Sequence, residues 1–184
     1  NLYFYQKSHS TMELTDPKIA WRVDTTIAGG GLFNDLSTHQ LDLMIYFFGE
    51  VAAASGISIN QSRLYNADDL VTGNILFKNG VAFTGSWCFN TSKGNEKDHC
   101  EIIGSKGKMS FAIFEHQTIS IDTDDGVETI TFEKLAHVQQ PMIQKVVEYF
   151  LGKSPNPCSA NDGVEVMNLI EKFTLHYNVD RNSV

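Results

Sequence analysis

The chain has 184 residues, of which 42% are hydrophobic and 20% charged, enough for one domain with a substantial core and unlike the composition of a disordered chain. A formal charge of -8 at pH 7, a pI near 5.1 and the lack of a Lys/Arg cluster exclude a nucleic-acid footprint. The apolar runs are too short to cross a bilayer, and no basic segment followed by an apolar one marks a signal peptide, so no membrane partner is expected.

In chain order, Leu2 to Gln6 is rich in aromatics and predicts a strand. The chain opens on Asn1 rather than Met, with strand pattern already under way, and this reads as a fragment of a longer protein. Ser8 to Ala20 is polar, holds Pro17 and predicts a loop; Trp21 to Thr25 predicts a short extended piece. Phe33 to Phe48 has helical length and stops at Gly49, a good C′ residue. Short strands follow. Val51 to Asn60 alternates in part. Asp69 to Phe77 and Val81 to Phe89 flank "KNG", a hairpin signal. Cys100 to Ile103 and Met109 to Ile113 flank "GSKGK"; Thr118 to Ile121 and Val127 to Phe132 flank "DTDDG". Two helices close the chain. Gln139 to Leu151 carries Met142, Val146, Tyr149 and Phe150 at helical spacing. After the breaker "KSPNPC", Ser159 begins a helix with Asp162 three residues on and an apolar stripe of Val166, Leu169, Ile170, Phe173 and Tyr177. The order predicts an α+β domain over residues 1–184: a largely antiparallel open sheet with helices packed on one face.

Cys88, Cys100 and Cys158 are widely spaced with no CxxC, and read as buried free thiols of a cytoplasmic protein. His99, His116 and His137 lack acidic partners at helical spacing and read as ordinary polar histidines. Trp87 reads as sheet packing, and Lys93, Lys97, Lys106 and Lys108 as solvated hairpin charges.

The segment "GGGLFNDLSTHQLD" from Gly29 to Asp42 carries the chemistry. A phosphate loop needs a glycine turn after a buried strand in a βαβ unit. Here GxGxxG fails at Asn34, GxxxxGK[ST] is absent, and hairpins follow; the glycines otherwise read as a tight turn with close backbone approach. On the helix, Asp35, His39, Asp42 and Tyr46 fall on one stripe among apolar residues, which predicts a helix buried nearly all round. Asp35 beside His39 at i,i+4 would raise its pKa and fix its tautomer, as a general base requires. A structural Asp–His pair and a metal set of Asp35, His39 and Asp42 are the other readings.

The segment "WRVDTTIAGGGLFNDLSTHQLDLMIYFFG" resembles the start of the C-terminal domain of the glucose-fructose oxidoreductase / inositol dehydrogenase (Gfo/Idh/MocA) family. The resemblance extends over "KNGVAFTGSW", "CEIIGSKGKMSF" and the closing "QQPMIQKVVEYFLGKSP" and "CSANDGVEVMNLIEKF". It implies a Rossmann domain elsewhere in the full-length protein and absent from this chain, with NAD or NADP bound there and none by this fragment. It implies Asp35 and His39 as the catalytic pair, His39 being the proton acceptor, with Trp21, Arg22 and Asp42 near a sugar, cyclitol or related polyol. No metal is implied. A non-catalytic assembly homologue and a redox-neutral NAD-dependent glycoside-cleaving enzyme are the alternatives. Homo-oligomerisation through the sheet face is expected, with Ile75, Phe77, Val81, Phe83, Trp87 and Phe89 as candidates for an exposed apolar patch.

Overall fold

Leu2–Lys7 (β1) turns Leu2 and Phe4 inward and leaves Tyr3 and Tyr5 half-buried on the other side, the alternation of a strand with one covered face. The remaining strands are Val51–Ile59 (β2), Leu70–Phe77 (β3), Ala82–Thr91 (β4), Lys97–Gly104 (β5), Gly107–Phe111 (β6), Thr118–Thr123 (β7) and Gly126–Thr131 (β8). The computed structural model describes residues 1–114 and 117–175, so His116 and Tyr177 lie outside the described residues. The strands form one eight-stranded sheet in the order β2-β3-β4-β1-β5-β6-β7-β8. β1 runs parallel to β4, with Leu2 opposite Gly85, and antiparallel to β5, with Leu2 opposite Cys100. Every other neighbouring pair is antiparallel. The fold is α+β, with a largely antiparallel open sheet.

The helices are Pro17–Ala20 (α1), Thr25–Ala28 (α2), Gly31–Phe48 (α3), Gln140–Phe150 (α4) and Ala160–Phe173 (α5). The loop expected over Ser8 to Ala20 contains α1 and a 3-10 turn at Glu13–Thr15, and the extended piece expected over Trp21 to Thr25 is a 3-10 turn at Trp21–Val23 leading into α2. Two aspartates explain the difference. Asp16 accepts from the Lys18 N–H at 2.9 Å and Asp24 from the Thr26 N–H at 2.8 Å, so each caps a single turn that has no apolar periodicity to reveal it.

α3 and α5 lie over the sheet face that carries Val71, Ile75, Phe77, Phe83, Trp87 and Phe89, all buried. Trp87 is fully buried, edge-on to Phe33 with ring centroids 5.1 Å apart, and its Nε1–H donates to Gln40 Oε1 at 2.6 Å. α5 packs so closely on β2 and β3 that a Cβ on Gly73 would lie 2.3 Å from the Phe173 ring, which is why glycine stands in the strand there. Its start is a full capping box: Ser159 N–H donates to Asp162 Oδ2 at 2.5 Å and Asp162 N–H to Ser159 Oγ at 3.4 Å. α4 differs. None of its residues is buried, and Met142, Ile143, Val147 and Phe150 form an apolar face that no described residue covers.

The six residues expected to form an apolar patch on the second sheet face do not lie on it, although Ile57 and Leu76 are exposed there. Ile75, Phe77, Phe83, Trp87 and Phe89 all point to the helices, and Val81 is half-buried against the same core. Their even spacing puts them on one pleat. The other face carries Thr72, Asn74, Thr84, Ser86, Tyr3 and Tyr5, tied by Thr84 Oγ1 donating to Asn74 Oδ1 at 3.0 Å and Tyr5 Oη to Ser86 Oγ at 3.3 Å. The three thiols are free, but only Cys100 is buried; Cys88 is half-buried and Cys158 is exposed at the α5 start.

Candidate active site

The turn into α3 holds Gly29 at φ +74° and Gly31 at φ +72°, a region that side chains disfavour. A Cβ on Gly31 would lie 2.3 Å from Ala67 Cβ, and one on Gly30 would lie 2.1 Å from Asn34 Oδ1. The space above the glycines is therefore filled by the protein's own side chains. The turn also follows the single-turn α2 rather than a strand. It does not fit a dinucleotide pyrophosphate, which needs free N–H groups at a strand-to-helix turn. Two residues after Ala67, the buried Asp69 carboxylate accepts from the Gln61 and Ser62 N–H groups at 2.7 and 2.8 Å and fastens the loop. Burial, and then the neighbouring Asp69 and Cys88, push the Tyr65 hydroxyl in this loop well above the usual tyrosine range.

α3 presents Leu32, Phe33, Ser37, Gln40, Leu41 and Met44 to the core. It is not buried all round, as its apolar content predicts, because the sheet and α5 cover one side only. The stripe of Asp35, His39, Asp42 and Tyr46 faces outward: Asp35 is half-buried, His39 and Asp42 are exposed, and Tyr46 is 81% exposed.

Asp35 and His39 share this face, yet no hydrogen bond or ion pair joins them. Asp35 Oδ2 instead lies 3.8 Å from Arg22 Nε, and the Arg22 guanidinium sits 5.5 Å from the centroid of the Trp21 ring. Trp21, Arg22 and Asp35 thus form one cluster at the start of α3. Its ion pair is half exposed and screened, so it positions the guanidinium more than it stabilises the fold. The His39 ring packs edge-on against Phe114, with centroids 6.1 Å apart.

His39 lines one groove, and its neighbours Leu36 and Phe114 line a second. One, of about 520 Å³, runs between α3 and the start of α5 and is lined by His39, Asp42, Cys158, Val164 and Met167. The other, of about 600 Å³, opens at the end of β1 beside Leu36 and Phe114. Asp42 thus lies one turn from His39 on the first groove, away from Trp21 and Arg22. Sequence reasoning missed Phe114, Leu36 and Cys158. Leu36 is a helical neighbour of His39, but Phe114 reaches the His39 ring only through the long-range packing of the sheet, which leaves no local signal. Among the described residues no three His, Cys, Asp or Glu side chains gather as a metal site, so Asp35, His39 and Asp42 do not form one. No helix among the described residues is long and apolar enough to cross a membrane.

Residues 3–182 match a family model described as an oxidoreductase family, C-terminal alpha/beta domain. Oxidoreductase P35 of Formosa agariphila is 38% identical over 168 residues, covering 91% of this chain and 51% of that protein. Among solved structures, aldose-aldose oxidoreductase from Caulobacter crescentus, complexed with glycerol, superposes with a TM-score of 0.75 at 15% identity over 92% of this chain and 50% of that one. A levoglucosan dehydrogenase in complex with NADH and levoglucosan gives 0.75 at 19% identity, over 94% and 54%. The chain spans about half the length of the relatives it matches.

Proposed function

Because this chain belongs to the Gfo/Idh/MocA oxidoreductase family, as its C-terminal alpha/beta domain, we propose that it is the substrate-binding and oligomerisation half of an NAD(P)-dependent dehydrogenase acting on a sugar, cyclitol or related polyol. The observation that carries this reading is His39, exposed on α3 in the wall of the groove between α3 and α5, one turn after Asp35. Two of the similar structures hold glycerol or levoglucosan, which supports a polyhydroxylated substrate.

NAD or NADP, when bound to the full-length protein, supplies the hydride acceptor. The glycine turn before α3 does not fit its phosphates, so we assign their binding to a dinucleotide-binding domain outside residues 1–184. This chain's own residues do the rest. The His39 imidazole takes the hydroxyl proton of the carbon being oxidised. Asp35 holds Arg22 on the Trp21 ring, where the guanidinium donates hydrogen bonds to substrate oxygens and balances charge near His39. Asp42 accepts from a substrate hydroxyl on the α5 side. Such donors and acceptors on fixed elements set geometry more than affinity.

Free thiols suit a reducing compartment, and we assign the protein to the cytoplasm. The polar, hydrogen-bonded outer face of the sheet is the surface through which we expect two copies to pair. The test of the enzymatic reading is a panel of sugars and polyols offered to the full-length protein with NAD⁺ and with NADP⁺. Reduced nicotinamide should accumulate with at least one of them, and redox-neutral turnover or none would refute it.

A further inference from the structure

The 600 Å³ groove beside His39 is larger than one reacting ring requires, and its walls have a definite chemistry. Phe114, 42% exposed, forms its apolar side. The ring is held in place: Asp98 accepts from the Ile113 and Phe114 N–H groups at 3.0 and 2.6 Å, and Phe4 packs edge-on against it at 5.3 Å. The rim is charged, but its cations are already engaged. Lys7 Nζ lies 3.6 Å from Glu13, and Lys97 Nζ sits 4.7 Å from the Tyr3 ring centroid. Glu13 and Glu96 are in turn fixed by the Ser10 and Gly94 N–H groups, at 2.7 and 2.6 Å.

Among the described residues, both lysines of this rim are engaged and the imidazole of His9 stands among carboxylates, so no cluster of free cations is built for a carboxylate or diphosphate. The rim offers donors and acceptors of both signs around an aromatic ring. A pyranose has the complementary surface: an apolar face of C–H groups bordered by hydroxyls. His39 borders the groove without lining it: Leu36, a lining residue, lies one turn before His39 on α3, and Phe114, another, packs edge-on against the His39 ring.

We propose that this groove is a second sugar subsite. The substrate is then a glycoside or oligosaccharide whose reacting ring lies at His39 and whose neighbouring ring lies on Phe114. This rests on the reading of His39 given above. Phe114 is the specificity-determining residue, and it takes no part in proton transfer.

The test uses the full-length protein on an array of glucose, galactose and mannose with their α-1,4- and β-1,4-linked di- and trisaccharides. At least one oligosaccharide should bind about tenfold more tightly than its own monosaccharide, the size of one good aromatic contact. Phe114→Ala should erase that difference. Because Phe114 also packs on Phe4, Phe114→Leu is the companion variant, keeping bulk while losing the ring, and it should behave likewise. Failure of every oligosaccharide to outbind its monosaccharide overturns the proposal, as does a preference that survives in Phe114→Leu. His39→Ala separates the two readings. It should abolish turnover and leave oligosaccharide binding intact; turnover that persists sinks the role of His39 and leaves the binding result standing.

Discussion

Because α3 turns Phe33, Gln40 and Met44 to the sheet, His39 is left facing solvent, in the wall of the groove between α3 and α5. Truncating it to alanine in the full-length protein should lower turnover about 10²–10⁴-fold, the usual worth of a general base, while NADH affinity measured by titration stays unchanged. Asp35→Asn should also lower turnover, because it releases Arg22; near-normal rates in both variants would refute the assignment. Gly31→Ala tests the turn. With φ at +72° and Ala67 Cβ 2.3 Å from the new methyl, urea unfolding should show a loss of about 1–3 kcal/mol. At this scale the sequence reveals spacing but not exposure. The D-x-x-x-H pattern puts Asp35 and His39 on one face, yet the apolar neighbours of His39 suggest a burial that the structure does not have. Arg22 as the partner of Asp35 depends on the capped turn after Asp24, whose hydrogen bonds are too local for a periodicity argument to detect.

Elements bounded by their own turn chemistry are legible in the sequence, and elements defined by distant partners are not. "KNG", "GSKGK" and "DTDDG" announce β3–β4, β5–β6 and β7–β8 because the glycines at their turns adopt positive φ, as at Gly80, Gly107 and Gly126. The α5 start is legible for the same reason. Ser159→Ala should cost about 1 kcal/mol in thermal or urea unfolding. The reciprocal hydrogen bonds from Ser159 hold the Asp162 carboxyl below the usual aspartate value of 3.8. A depressed carboxylate pKa contributes stability that is present above the unfolded value and lost as pH falls through the folded one. Acid titration of unfolding should therefore show a component that sets in near pH 4 and disappears in Asp162→Asn. A wild-type and variant with identical acid limbs would show that the cap does not act through charge. α4 is the contrary case: Met142 and Phe150 have helical spacing, yet spacing cannot say what will cover a face, and no described residue does.

At the scale of the molecule, one side of the sheet is packed by α3 and α5 and the other mixes hydroxyl, amide and phenol groups with exposed Ile57, Leu76 and Ile103. Pairing through that surface predicts a mass in light scattering of twice 20.5 kDa. Thr84→Arg, on the outward face of β4, should reduce it to the monomer by placing like charges in the interface; a wild-type monomer would rule the interface out. The position of β1 has a consequence for how the chain acquires its shape. Each partner of this central strand lies far along the chain: Tyr5 meets Ser86, 81 residues on, and Asn1 meets Glu101, 100 residues on. Until β4 has formed, β1 is an unpaired strand bearing Leu2, Tyr3, Phe4 and Tyr5, and until β5 reaches its other edge nothing joins β2–β4 to β5–β8. Closing so long a loop before any contact rewards it slows folding. During synthesis the ribosome must deliver residue 91 before β1 gains its first partner and residue 104 before it gains its second, which leaves those aromatic residues open to chaperones for most of that interval.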